Sequence, residues 1–456
     1  MVCMKTTRRE ILKGVAAFGA FNLIPAKVLR GATAPSNQLT RALIGFGSIA
    51  HSENHLPYKG SRLIGLCDPD QLHAREGLAC AEKAGWGKIR DYGNFLRLLD
   101  DPGVDIVHIC TPPHWHGCMS VMAARAGKDI WCEKPMTRTV GEGKRVMECV
   151  KAKKRVFRLN TCFRYTMPFY GFGTPVKPVR QVVENGLLGN GPIRCVFGVG
   201  QGFCWKFYWS GRVNLLPEKC PDTFDWDMWL GPAPWKPYNR HRTHGTFRGY
   251  WDYDAGGLGD MAQHYLDPVQ FLLCKDETSP VKIDYVGPKH HPDVVGRFDR
   301  ITLTYDDGTE VILDGNESLK DEPFLRGSNG VTVWPCRAPD GTVRDWTTDE
   351  QAANQMFGMK DANGNDMDVR KILADLSEPA PQITDFMESV RTRKPFALNE
   401  SNGFRSCTMF NLAIVAERLG RGFEFDPVAL VSDDEAANRF LYQSMREPWD
   451  TEFRNA

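Results

Sequence analysis

Through the first third of the chain, continuous apolar runs alternate with segments of helical period. The runs at 39–44, 62–67, 105–110, 129–132 and 155–160 read as strands buried in a sheet. Helical stretches at 71–84, 95–99, 117–126 and 141–152 separate them, an alternation that predicts a parallel α/β sheet. From 163 to 253 the pattern gives way to aromatic, glycine- and proline-rich sequence. A glycine-rich lead-in at 255–259 then enters an apolar helix. Beyond it come strands at 281–286, 300–305 and 310–313, with a turn at Asp306-Asp307-Gly308. Hairpin material continues to Val343 through Pro339-Asp340-Gly341, followed by helices at 381–392 and 402–419. The expected class is α/β. Its domains are an N-terminal parallel α/β domain at 35–160 and a second domain at 161–456.

Composition narrows the partner. The 456 residues are 42% hydrophobic with a formal charge of +1, enough chain for two sizeable cores. No long basic run offers a footprint for a polyanion, so a small molecule is the expected ligand and nucleic acid is not. Residues 1–34 read differently. Thr7-Arg8-Arg9-Glu10-Ile11-Leu12-Lys13 precedes an apolar run from Gly14 to Ile24, too short to span a bilayer, and then Ala32-Thr33-Ala34. This resembles a twin-arginine export signal; the alternative is an amphipathic N-terminal helix of a cytoplasmic protein. None of the fourteen cysteines forms a CxxC pair, and Cys67, Cys110 and Cys132 fall in the buried runs, so neither an essential disulfide nor a cysteine metal site is expected.

The chemistry-bearing residues cluster at strand ends. After the first strand, Gly45, Gly47 and Ala50, with Ser48 and Ile49 between them, supply the tight turn, close approach and small packing residue of a pyrophosphate site. Asp68 ends the second strand a little over twenty residues later. It is placed to bind the adenosine ribose and repel a 2′-phosphate, which favours NAD over NADP; its structural alternative is to cap the following helix. The loop Thr111-Pro112-Pro113-His114-Trp115-His116 should lie along the nicotinamide half of the cofactor, with Thr111, Pro112 and His116 as contacts. His114 and His116 have no acidic neighbour at ligand spacing, so no metal is expected. A further strand delivers Glu133-Lys134-Pro135 into the crevice, Pro135 removing a donor and stiffening the turn. In Gly257-Leu258-Gly259-Asp260-Met261-Ala262-Gln263-His264, a helix starting near Asp260 would put Asp260 and His264 on one face, the carboxylate orienting the imidazole. Alternatively, Asp260 is only an N-cap.

These motifs, in this order and spacing, resemble the glucose-fructose oxidoreductase and inositol dehydrogenase family, Gfo/Idh/MocA. The resemblance implies an N-terminal Rossmann domain followed by an α/β domain with an open, mostly antiparallel sheet whose exposed face commonly mediates homodimers or homotetramers. It also implies a catalytic set of Lys134, Asp260 and His264. The expected reaction is NAD(H)-dependent hydride transfer to or from a hydroxyl-bearing carbon of a sugar, glycoside or polyol. Arg164, Trp205, Tyr238, His241 and Trp251 are candidate substrate contacts in the aromatic segment. An exported enzyme would have to retain and recycle its nucleotide. Two other readings stay open: an NAD-dependent redox-neutral glycosidase, and a non-catalytic nucleotide-bound sugar-binding protein.

Overall fold

The computed structural model describes residues 38–51, 58–161, 164, 176–198, 211–334 and 359–454. The proposed export signal, Trp205 and the hairpin material near Pro339-Asp340-Gly341 lie outside them. Strands β1 (Leu39–Ile44), β2 (Ser61–Cys67), β3 (Arg90–Asp91), β4 (Ile106–Ile109), β5 (Asp129–Glu133) and β6 (Phe157–Asn160) form one sheet in the order β3-β2-β1-β4-β5-β6, every pairing parallel. Helices α1 (Gln71–Lys83), α2 (Phe95–Asp100), α3 (His116–Arg125) and α4 (Val140–Ala152) connect them.

The apolar runs are buried on both faces, as their composition requires. Ala42, Ile44, Val107, Ile109, Ile130 and Cys132 pack toward α3 and α4, while Leu43, Phe46 and Leu66 pack against Ala74 and Ala81 of α1. Strand order reverses between β1 and β4, which opens a crevice at their carboxyl ends. Gly45 turns the chain there with φ +88°, and a Cβ on it would meet the Cys110 carbonyl oxygen at 3.0 Å. Only glycine satisfies both demands.

The second domain contributes α5 (Val176–Glu184), β7 (Arg194–Gly198), α6 (Trp226–Leu230) and α7 (Gly256–Leu272). Strands β8 (Lys282–Val286), β9 (Arg300–Thr304), β10 (Glu310–Asp314), β11 (Leu325–Arg326) and β12 (Thr332–Val333) follow. Helices α8 (Val369–Ala374), α9 (Phe386–Thr392) and α10 (Glu400–Leu419), strand β13 (Phe423–Glu424), and helices α11 (Glu435–Leu441) and α12 (Trp449–Arg454) complete it. Its sheet runs β12-β11-β7-β10-β9-β8-β13, antiparallel except for β7 with β10. One face is covered by helices, Tyr265 of α7 packing edge-on against Phe197 of β7 at 5.3 Å. On β8 the alternate residues Lys282, Asp284 and Val286 are exposed.

The two domains interlock. Gln263 of α7 accepts a hydrogen bond from the Met136 backbone N–H (2.7 Å) and donates to Gly403 and Ser406 of α10, so the interface is sealed by a satisfied buried amide. Among the described residues no helix is long and apolar enough to cross a membrane. Gly45→Ala is expected to lose about 1–2 kcal/mol from its positive φ alone, read as a lower urea midpoint at unchanged slope.

Candidate active site

A cavity of about 310 Å³ opens at the β1/β4 switch point. Gly45, Gly47, Ser48, Ile49, Asp68, Thr111 and Pro112, all named from the sequence as cofactor contacts, line it. Ala50 is buried, its N–H on the Gly47 carbonyl (3.0 Å), where it closes a single 3₁₀ turn, Ser48–His51. Two observations suit a bound dinucleotide. A Cβ on Gly47 would meet nothing within 4 Å and would project into open space, and the buried Thr111 hydroxyl has no partner among the described residues. Asp68 accepts hydrogen bonds from the Phe46 N–H (2.7 Å) and the Asp70 N–H (2.8 Å), locking the glycine turn, and Asp70 rather than Asp68 caps α1. Each Asp68 oxygen keeps a lone pair for a further donor.

The far wall comes from the second domain. Met228, Trp229, His244, Phe247 and Arg248 of the aromatic segment complete the cavity. Backbone bonds hold this segment on the first domain, Gln71 N–H to Thr223 O and Asp225 N–H to Pro69 O, both 2.9 Å. The indole of Trp115 donates to the Trp229 carbonyl (3.1 Å), and His114 Nε2 reaches the same oxygen at 2.9 Å. His116 lies between the carbonyls of Thr111 (2.8 Å) and Pro135 (2.6 Å), tying its loop to the turn that carries Lys134. Both histidines therefore serve the loop's architecture.

Lys134 follows β5, and the bond to Pro135 is cis. Its Nζ donates to the Asp260 backbone carbonyl and sits 3.0 Å from Asp260 Oδ1. Arg248 Nε approaches the same Oδ1 at 2.8 Å, so one carboxylate oxygen joins the catalytic lysine candidate to a residue of the cavity wall. Burial opposes the Asp260 charge, but Lys134 and Arg248 outweigh it and hold its pKa well below the carboxylate range. Glu133 is tied by His108 Nε2 (3.0 Å) and Asn160 Nδ2 (2.8 Å) beneath the cavity.

The helix carrying Asp260 begins at Gly256, so Asp260 lies in the helix interior and not at its cap. Asp254 occupies the entry: its Oδ1 accepts from the Ala255 N–H (2.8 Å), its Oδ2 is buried without a partner, and a Cβ on Gly259 would stand 1.9 Å from that carboxylate. Burial first, and the Asp260 charge second, raise the Asp254 pKa well above the carboxylate range. The expected pairing of Asp260 with His264 gives way to a different arrangement. Asp260 is held by the two cations, and His264 Nδ1 takes the Thr161 hydroxyl at 2.8 Å. Burial, reinforced by Lys134, pushes His264 down to about 3, so the imidazole is neutral.

Of the substrate contacts expected from the aromatic segment, the four that are described have partners within the protein. Arg164 is fully buried and paired with Asp267 (2.7 and 3.0 Å) and Asp276 (2.7 and 2.8 Å), a buried ion triad. Trp251 is buried, its indole donating to the His291 carbonyl (3.1 Å). Tyr238 packs on Phe224 and Trp226, and His241 Nδ1 meets the Tyr250 hydroxyl at 2.7 Å. None of these three lines the cavity. Their aromatic density builds a wall: Trp226 and Trp229, three apart on α6, stack at 5.0 Å, and Trp229 faces the cavity.

A six-stranded parallel sheet, a glycine turn at its switch point and an acid closing β2 define a dinucleotide-binding α/β protein. The family model for the NAD-binding Rossmann fold of the GFO/IDH/MocA oxidoreductases matches residues 39–161, and that for the family's C-terminal alpha/beta domain matches 172–344 and 350–451. The chain belongs to this family. It is 32% identical over 200 residues to levoglucosan dehydrogenase from Pseudarthrobacter phenanthrenivorans, which covers 44% of this chain and 41% of that protein. It is 27% identical to D-apiose dehydrogenase from Rhizobium rhizogenes over 67% of this chain and 73% of that one. In fold it is similar to the WlbA dehydrogenase from Chromobacterium violaceum, solved with NADH and UDP-GlcNAcA (TM-score 0.53, 16% identity, 85% of this chain and 96% of that one). The chain spans about two-fifths of the levoglucosan enzyme's length in that match.

Buried neutral histidines give the fold an acid limit. His114, like His264, is pushed down to about 3 by burial. Unfolded, each binds its proton near pH 6.5, so between those values the unfolded state holds more protons, and stability is lost as pH falls below about 6.5. Urea titrations between about pH 6.5 and 4.5 should show His114→Gln losing stability less steeply than the parent, by about 1.4 kcal/mol per pH unit.

Proposed function

We propose that the protein is an NAD(H)-dependent oxidoreductase acting at a hydroxyl-bearing carbon of a sugar, glycoside or polyol. The observation that carries this reading is the junction at Asp260: the second domain fixes Lys134 at the carboxyl end of β5, and Arg248 joins that pair to the cavity wall. Membership of an oxidoreductase family and similarity to sugar dehydrogenases supply the reaction class and the substrate class.

A nicotinamide dinucleotide held by the glycine turn, Asp68 and Thr111 would supply the hydride acceptor or donor. The chain's own groups manage the proton. Lys134 Nζ, steered by Asp260, delivers a proton to the substrate oxygen or takes it away. His264, uncharged and oriented by Thr161, binds the same hydroxyl without competing for its proton, since its basicity is depressed by burial. Arg248 keeps Asp260 ionised when the wall is in place. The Asp68 carboxylate at the β2 end favours NAD over NADP by repelling a 2′-phosphate. We further propose export by the twin-arginine route, retention of the nucleotide through turnover, and homo-oligomerisation through the open sheet face.

Two measurements test this reading. Denaturing freshly purified protein should release about one NAD(H) per chain, identified chromatographically; release of NADP, or of no nucleotide, removes the retention and specificity proposals. Lys134→Met should lower kcat/KM on the responsive sugar by about 10²–10⁴-fold, whereas His264→Asn should cost less and leave the pH profile's limb in place.

A further inference from the structure

At the rim of the cavity, away from Lys134 and Asp260, three side chains distant in sequence meet. Asp70 caps α1, His73 lies one turn later on the same helix, and His244 comes from the opposite wall. One carboxylate oxygen of Asp70 and one ring nitrogen of each histidine lie within 4.8 Å of one another. The division of labour within the cluster is specific. Asp70 Oδ1 is committed to the Leu72 N–H at 2.9 Å, while its Oδ2 stands 3.3 Å from His244 Nε2. Behind His73, Asp68 Oδ2 sits 3.8 Å from Nδ1, too far for a hydrogen bond but near enough to place negative charge behind the ring. The two imidazole rings approach edge to face, with centroids 4.6 Å apart.

We propose that Asp70, His73 and His244 form a binding site for one divalent transition-metal ion of the zinc, cobalt or nickel type. Two imidazoles and a carboxylate are the donor set such ions take, with water free to complete the shell. In a tetrahedron with bonds of about 2.0–2.1 Å, neighbouring ligand atoms stand roughly 3.3 Å apart, the separation Asp70 and His244 already show. The charge around the site is negative: Asp68, Asp70 and Glu76 all face His73 electrostatically, so a dication enters a field prepared for it. Side-chain exposures of 29% for His73 and 48% for His244 leave an entry route and room for the rings to turn. An ion here staples the His244 turn to the start of α1 across the cavity rim. The inference does not depend on the hydride-transfer reading, because it concerns binding and stability alone.

The test uses untagged full-length protein, stripped with a chelator and titrated near neutral pH with zinc chloride by calorimetry, and with cobalt(II) by visible absorption. The expected result is one ion per chain, a tetrahedral cobalt spectrum and a higher Tm with metal. His73→Gln and His244→Gln, both at partly exposed positions, should keep the metal-free Tm and each weaken binding by more than about 10-fold, the lower end of what losing even an outer-shell partner costs. Absence of stoichiometric uptake by the parent, or uptake that both variants retain, overturns the site.

Discussion

One buried carboxylate governs the architecture around the cavity. Asp260 has been taken out of water, a step that costs several kcal/mol unless the charge is matched at close range. Lys134 and Arg248 both match it at Oδ1, one from the parallel sheet and one from the aromatic segment. Displacing either cation removes part of the compensation for the buried charge. The turn after β5, the interior of α7 and the cavity wall are therefore held in register by electrostatics as well as by packing. Asp254 shows the same constraint in the negative: with no cation of its own bonded to Oδ2, it is driven toward the neutral acid.

Beneath this junction a second polar chain crosses four strands. Arg41 on β1 donates to His108 Nδ1 on β4 (3.0 Å), which leaves the ring proton on Nε2 for Glu133 on β5, and Glu133 in turn accepts from Asn160 on β6. Trp131 roofs part of the row, stacked on His108 at 4.2 Å, with the Arg158 guanidinium over the Trp131 ring at 3.9 Å. The residues on either side of this chain are Lys134, next to Glu133, and Thr161, next to Asn160. The sheet thus sets the heights from which Lys134 and the Thr161–His264 pair address the crevice. Polar groups in an apolar sheet are costly singly and rigid when satisfied as a set.

Much of the first domain was legible because its signals are local. Buried strands read as apolar runs, and the glycine turn announces itself through residues that must touch backbone or adopt positive φ, as Gly45 does. Lys134, Asp260 and His264 were legible as a set only through order and spacing, and their pairing was not: which base meets which acid depends on Arg248, whose partner is set by tertiary folding. The helix α7 starts earlier than expected because Gly256 supplies the positive φ at its entry, with Asp254 packed where Gly259 lacks a side chain. Tryptophan density did not single out individual contacts, for a physical reason. Indoles suit a sugar ring and a protein core equally well, and Trp226, Trp229 and Trp251 were recruited to the core and the cavity wall. The same holds for Arg164, since a guanidinium binds the carboxylates of Asp267 and Asp276 as readily as a ligand's.

The cavity wall is clasped from a third place in the chain. Arg446 donates through Nε to the Gly231 carbonyl (2.9 Å) and grips Asp227 by its side chain and carbonyl, while Trp449 packs against Trp115 at 4.7 Å. More than two hundred residues separate Arg446 from the segment it fastens. On the ribosome, the parallel sheet can condense while this clasp is still unsynthesised, so the nascent chain passes through a stage with a formed crevice and an unsecured rim.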